Sequence, residues 1–85
     1  MAYDIEWLRS ASKAFDRLPP AVRQRLERAI TALADNPRPS GVRSVVTGAG
    51  ELRLRAGDSR VIDEVDDSAR TVLIVKVAHR SEAYR

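Results

Sequence analysis

The chain has 85 residues, 44% of them hydrophobic and 32% charged, which is typical of one globular domain in an aqueous compartment. It contains no cysteine and one histidine, so it offers no disulfide and no thiolate metal site, and the histidine cannot form a metal centre alone. No apolar run approaches the roughly 20 residues of a membrane helix and no secretory signal pattern opens the chain, so a cytoplasmic location without membrane contact is expected.

The positive charge of the chain comes mainly from arginine. The formal net charge is +3, the pI is near 10.0, and 13 of the 15 basic residues are arginine. Its planar guanidinium suits bidentate contact with phosphate. The composition therefore permits a nucleic-acid partner, although a codon bias towards arginine would produce the same composition.

The first part of the chain predicts one strand and two helices. Apolar residues alternate over residues 3–7, which predicts a short strand at the edge of a sheet. Ser10 is the predicted N-cap of a first helix that Pro19 ends. Pro20 suits the first position of a second helix, whose apolar residues recur at helical spacing until Asn36-Pro37 stops it.

The second part predicts a loop followed by three strands. Glycine and proline mark residues 38–50 as a loop. Charged and apolar residues alternate strictly over residues 51–55, so Arg53 and Arg55 are expected to share the face opposite the core. Turn signals follow at residues 56–59 and 66–68, and the apolar run 71–78 is typical of a strand buried on both faces.

This order of elements predicts a single α+β domain over residues 1–85. An N-terminal strand and a two-helix hairpin would pack with an antiparallel-rich four-stranded sheet, the helices covering one face. The other face would be open to solvent, with Arg53 and Arg55 pointing to it. The chain then closes with an imidazole, a phenol and two guanidiniums within seven residues.

Several short motifs occur in a fixed order along the chain: Leu18-Pro19-Pro20, Asp35-Asn36-Pro37, Leu52-Arg53-Leu54-Arg55, Gly57-Asp58-Ser59-Arg60, Asp66-Asp67 and His79-Arg80-Ser81-Glu82-Ala83-Tyr84-Arg85. This ordered set resembles the RelE/ParE toxin superfamily, small bacterial proteins that are encoded beside an antitoxin. The resemblance covers nearly the whole chain, and the ending is closer to the RelE branch than to the ParE branch.

The resemblance implies a toxin that cuts mRNA in the ribosomal A site and so blocks translation. RelE-type members use no metal, and a ribose 2′-OH attacks the adjacent phosphate. This reaction needs a group that takes the 2′ proton, a cation near the phosphorus and a donor for the leaving 5′ oxygen. The implied partners are a cognate antitoxin, the ribosome and mRNA, and no cofactor is expected.

The resemblance also assigns roles to individual residues. Arg60 would clamp the scissile phosphate, with Arg53 as a basic strand residue near it. Tyr84 would stack on a base or orient the 2′-OH, and His79 is the predicted acid or base. Further phosphate contacts are predicted at four other arginines: Arg43, Arg55, Arg80 and Arg85.

The sequence departs from the family pattern at three positions. Relatives usually carry aromatic residues where this chain has Ser59 and Asp63, and a cation or an aromatic where it has Glu51. Two lost aromatics are expected to remove base stacking worth about 1–3 kcal/mol each, and the carboxylates would repel phosphate. Two alternatives stay open: a ParE-like inhibitor of DNA gyrase, and an attenuated toxin that only binds its antitoxin and would regain toxicity with tyrosine at both positions.

Overall fold

The computed structural model describes residues 2–37, 43–44 and 51–79, with only the backbone at 43–44. Within these residues the elements in chain order are β1 (Asp4–Trp7), α1 (Arg9–Asp16), α2 (Pro20–Ala32), β2 (Arg43–Ser44), β3 (Glu51–Ala56), β4 (Ser59–Asp66) and β5 (Thr71–His79). The predicted α+β fold is confirmed, and β2 adds a short fifth strand inside the predicted loop.

The strands form one sheet in the order β1-β5-β4-β3-β2. β1 pairs with β5 in parallel, and the other neighbours pair antiparallel. The predicted edge position of the N-terminal strand is therefore confirmed. The phenol of Tyr3 donates a hydrogen bond of 2.7 Å to Asp67 Oδ1, which attaches β1 to the turn between β4 and β5.

The start of α2 agrees with the prediction, whereas the start of α1 and the end of α2 differ from it. α2 begins at Pro20 as predicted, because a proline at the first position has no N–H to leave unpaired. The predicted N-cap Ser10 is wrong: Leu8 is the N-cap and has no side-chain cap bond. The Leu8 N–H instead donates to the Ile74 carbonyl at 3.0 Å, so strand pairing continues to the residue before the helix.

α2 ends at Ala32, before the predicted stop at Asn36-Pro37. The N–H groups of Leu33 and Ala34 donate to carbonyls three residues earlier, at 3.0 and 3.1 Å. Such bonds tighten the last turn of a helix and close it. No helix of the described residues is long and apolar enough to cross a membrane.

The core lies between the two helices and one face of the sheet. Leu26 and Ile30 of α2 and Leu33, the residue after it, are at most 3% exposed, and Val61, Val72 and Ile74 of the sheet are fully buried. The Trp7 and Phe15 rings pack edge to face with centroids 5.1 Å apart at the β1 side of this core. Neither helix of the described residues covers the opposite face of the sheet.

A β-bulge in β5 changes which side chains face the core. Ile62 lies opposite Lys76 and Asp63 lies opposite Ile74, so Val75 is an additional residue in β5. One additional residue shifts the alternation of all residues after it. Val77 therefore enters the core while Lys76 is exposed, and the predicted burial of β5 on both faces is wrong at Lys76.

Candidate nucleic-acid interface

Basic side chains cluster on the sheet face that the helices leave uncovered. Arg55 lies directly opposite Arg60. In the next row, Arg53 lies opposite Ile62, which lies opposite Lys76. All four cations are exposed, and we call this cluster the basic half of the face. The prediction that Arg53 and Arg55 share the uncovered face is confirmed.

The turn between β3 and β4 sets the position of Arg60. Only Gly57 and Asp58 separate the paired residues Ala56 and Ser59, and Gly57 has a φ of 61°. A positive φ at the first central position is the type II′ pattern, which suits the twist of the flanking strands. The turn thereby places Arg60 one residue into β4, across from Arg55.

Two cations of this region were missed in the sequence. Lys76 had a local signal, because it is the only charge in the apolar run 71–78. Arg25 of α2 had none: a Cβ added at Gly57 would lie 2.5 Å from Arg25 Nη1, so this guanidinium lies against the β3–β4 turn. The contact joins residues far apart in the chain, and sequence periodicity does not report such contacts.

His79 lies at the same end of the sheet as Arg60 but on the other face. Its partner across the strands is Ser59, whereas the partner of Arg60 is Ala78. Because paired residues share a face and neighbours in a strand alternate, His79 is on the helix side, where it is half-buried. The imidazole therefore lies at the same end of the sheet as Arg60 but not on the face of the arginines.

Ser59 and Asp63 also lie on the helix side. They are 2% and 1% exposed, and Asp63 lies between Leu52 and Ile74 of the neighbouring strands. The expectation that these two residues weaken stacking or repel phosphate at the basic surface is wrong, because neither side chain reaches that surface. Glu51 does lie on the uncovered face, opposite Glu64.

The remaining predicted phosphate contacts are only partly placed. The backbone of Arg43 pairs with Arg53, which brings β2 beside the basic half. Arg80, Tyr84 and Arg85 lie outside the described residues. Within the part of the chain that is described, no three His, Asp or Glu side chains group as a metal site would require.

At the opposite end of the sheet, Asp66 organises the β4–β5 turn. Its Oδ1 accepts hydrogen bonds from the Ser68 hydroxyl at 2.7 Å and from the N–H groups of Ser68 and Ala69 at 3.0 Å. These bonds, the Ser68 hydroxyl first, hold the pKa of Asp66 below its ordinary value, against smaller opposing effects of desolvation and of Asp67. A fixed negative charge therefore stands at the far end of β4.

Comparisons with known proteins match the chain over nearly its full length. Residues 5–84 match the model of a family described as the ParE toxin of the type II toxin–antitoxin system parDE. Toxin RelG of Mycobacterium tuberculosis is 30% identical over 86 residues, which cover 100% of this chain and 99% of RelG.

Solved toxin–antitoxin complexes contain chains of the same fold. The RelBE2 complex of Mycobacterium tuberculosis matches with a TM-score of 0.84 at 24% identity, over 96% of this chain and 95% of that chain. The archaeal RelE–RelB complex of Pyrococcus horikoshii matches with a TM-score of 0.82 at 28% identity, over 96% and 99%. Together with the family match and RelG, these likenesses confirm the resemblance found in the motifs: the chain belongs to the RelE/ParE family of toxins of type II toxin–antitoxin systems.

Proposed function

We propose that this toxin is an endoribonuclease that cuts mRNA on the ribosome and thereby blocks translation. The observation that carries the proposal is the exposed set Arg53, Arg55 and Arg60 on two adjacent strands, opposite the helices. Guanidinium groups bind phosphate bidentately, and phosphate contacts supply much of the affinity for nucleic acid. The basic half of the sheet face is thus the proposed RNA site.

The chemistry is attack of a ribose 2′-OH on the adjacent phosphorus, which breaks the bond to the 5′ oxygen of the next nucleotide. Arg60 and Arg55, side by side on the surface, would stabilise the charge that develops on the phosphate oxygens. Proton transfer is proposed for the end of the chain, with Tyr84 as one candidate group. His79 is the other candidate, and it would have to act from the helix side of the sheet edge.

The proposed partners are a cognate antitoxin and the ribosome. The similar chains from Mycobacterium tuberculosis and Pyrococcus horikoshii were solved in complexes with RelB-type proteins. By analogy, an antitoxin of this kind would bind here and cover the basic half, which would keep RNA away. Arg43, Arg80 and Arg85 are proposed as further contacts to RNA phosphates.

Inhibition of DNA gyrase is a second candidate, favoured by the family model, which carries the ParE description. Gyrase inhibition is a binding function and would need no proton transfer. The exposed arginines would then contact the target enzyme or its DNA. Ribonuclease action is preferred because RelG matches the whole chain at 30% identity and the closing His-Arg…Tyr-Arg motif is RelE-like.

Pulse-labelling of a bacterial culture after induction of this chain alone separates the candidates. Incorporation of labelled amino acids and of labelled thymidine is followed in the same culture. An early stop of protein synthesis, with new mRNA 5′ ends, would support the ribonuclease. An early stop of DNA synthesis would replace it with gyrase inhibition, and unchanged synthesis of both, with the toxin accumulating in folded form, would leave only antitoxin binding.

A further inference from the structure

The uncovered sheet face has a basic half and an acidic half, and the boundary between them runs across the strands. The basic half lies near the β3–β4 turn and consists of Arg53, Arg55, Arg60 and Lys76. The acidic half lies towards the β4–β5 turn and consists of carboxylates from three strands: Asp4, Glu6, Glu51, Glu64 and Asp66. Arg70 lies in the turn that follows that half.

Both halves place like charges directly opposite one another in the β3–β4 hairpin. Arg55 faces Arg60, and Glu51 faces Glu64. Like charges at opposite positions lower stability. If the charges at 51 and 55 were exchanged, both pairs would be of opposite sign. A local rule broken twice in one hairpin indicates a surface that serves binding rather than stability.

The dimensions of the basic half give it a long axis. Along the strands it covers a single two-residue step, about 7 Å. Across the strands it extends from β3 through β4 to β5, about 10 Å. A chain of phosphates that crosses the strands meets two cations in either row and no carboxylate, whereas one that follows β3 or β4 from the turn reaches Glu51 or Glu64 after the cations.

We propose that a single RNA strand crosses β3, β4 and β5 over the basic half, and that Glu51 and Glu64 border this phosphate track on the side of the β4–β5 turn. This inference rests on the proposed ribonuclease function, since it takes RNA as the ligand of the face. The glutamates stand one two-residue step from the row of Arg53, which is within a Debye length of about 8 Å at physiological salt. They repel a phosphate that moves along the strands, and so determine the direction of the bound segment and confine it to the basic half.

Binding of fluorescent single-stranded oligouridylates of increasing length, measured by anisotropy at several salt concentrations, tests this track. For the natural sequence the affinity should rise with length and level off once the basic half is filled. The slope of log K against log salt should be about −3, since four contacts at about 0.7 each are available. In the double variant Glu51→Lys with Glu64→Lys, the plateau should move to longer oligomers and the slope should steepen by about 1.4.

The matched control is Asp16→Lys with Glu27→Lys, two exposed carboxylates on the helices with the same change in net charge. The milder pair Glu51→Gln with Glu64→Gln should move the plateau in the same direction, and circular dichroism checks that each variant folds. Three results would overturn the proposed track. They are equal gains in affinity in the two lysine double variants, a plateau that stays at the same oligomer length, and no binding of any oligomer at the lowest salt concentration. Failure of the ribonuclease function would look different: protein synthesis would continue after induction while the length dependence persisted.

Discussion

Arg60 is the residue on which the proposed chemistry depends most. The two-residue turn before it fixes its place opposite Arg55, and its side chain is exposed. Two guanidiniums held side by side on an antiparallel pair would be preorganised to bind a phosphate that gains charge in the proposed transition state. Their mutual repulsion is a cost that the folded chain carries.

Replacing Arg60 with alanine should abolish growth arrest and leave the fold intact. The charge at the phosphorus loses its principal cation, whereas relief of the repulsion with Arg55 should raise the free energy of unfolding by about 0.2–1 kcal/mol. Induced cultures and thermal melts measure the two effects. Arg28→Ala, an exposed arginine of α2, is the control and should remain toxic; full toxicity of Arg60→Ala would contradict the assignment.

Tyrosine at position 63 should destabilise the protein rather than increase its toxicity. Asp63 is 1% exposed between Leu52 and Ile74, so a larger ring overpacks the core at about 1–3 kcal/mol. Chemical denaturation measures the loss. Ile62→Tyr, on the uncovered face one residue away, should cost much less. An unchanged stability together with a gain in toxicity would instead support the attenuated toxin.

Among the elements, β5 is the one whose geometry most affects the site. Its bulge at Val75 keeps Ile74 and Val77 in the core and directs Lys76 to the basic half. The residues on either side of the bulge follow two opposite alternations. The element therefore behaves as two short strands joined by one additional residue.

Deletion of Val75 should be tolerated, because the remaining residues of β5 then pair with β4 in an unbroken ladder that keeps every side chain on its present face. Thermal unfolding should remain cooperative. Deletion of Ile62 is the matched control: β4 has no additional residue in its pairing with β3, so every residue on one side of the gap moves to the opposite face, and this should prevent folding. Equal damage from both deletions would mean that the bulge itself is needed.

The β4–β5 turn should lose stability in acid through Asp66. The hydrogen bonds from Ser68 and Ala69 lower the pKa of Asp66 in the folded protein. The contribution of Asp66 to the free energy of unfolding is therefore complete above the ordinary aspartate pKa of about 4, and it is lost as the pH falls through the lower folded value. Denaturation at a series of pH values should show that the free energies of unfolding of the natural chain and of Asp66→Ala converge below about pH 4. A difference in stability between the two proteins that persists at the lowest pH would contradict the assignment of this stability to the ionised Asp66 carboxylate.

At the scale of the whole molecule, the distribution of charge matters more than the net charge of +3. Arginines lie both on the helices and on the uncovered face. On the uncovered face, Arg55 and Arg60 stand directly opposite one another on neighbouring strands. A polyanion releases counterions in proportion to the phosphates that are neutralised together. The affinity of the proposed binding to ribosomes is therefore expected to depend on the basic half of the uncovered face and not on the net charge of the chain.

Co-sedimentation with ribosomes should weaken steeply as salt rises. Arg53→Gln with Arg55→Gln should flatten the dependence of log K on log salt by about 1.4, two contacts at about 0.7 each. The control pair Arg9→Gln with Arg28→Gln removes the same charge from exposed positions on the helices and should leave the slope nearly unchanged. Equal flattening in both pairs would show that net charge alone drives the association.

The order of the elements and the arginines of the uncovered face can be read from the amino-acid sequence alone. Pro20 marked the start of α2, and strict alternation in β3 placed Arg53 and Arg55 on one face. These features depend on periods of 3.6 and 2 residues, which are local and therefore readable in a short window. The ordered motifs also indicate the RelE/ParE family.

Contacts between distant parts of the chain decide which other side chains join the site. The bulge at Val75 brings Lys76 to the basic half, the register of β4 with β3 and β5 places Asp63 and His79 on the helix side, and packing brings Arg25 against Gly57. Strand partners, register shifts and helix placement depend on contacts between residues distant in the chain. A local pattern carries no information about them, and a single additional residue reverses every later side chain of its strand.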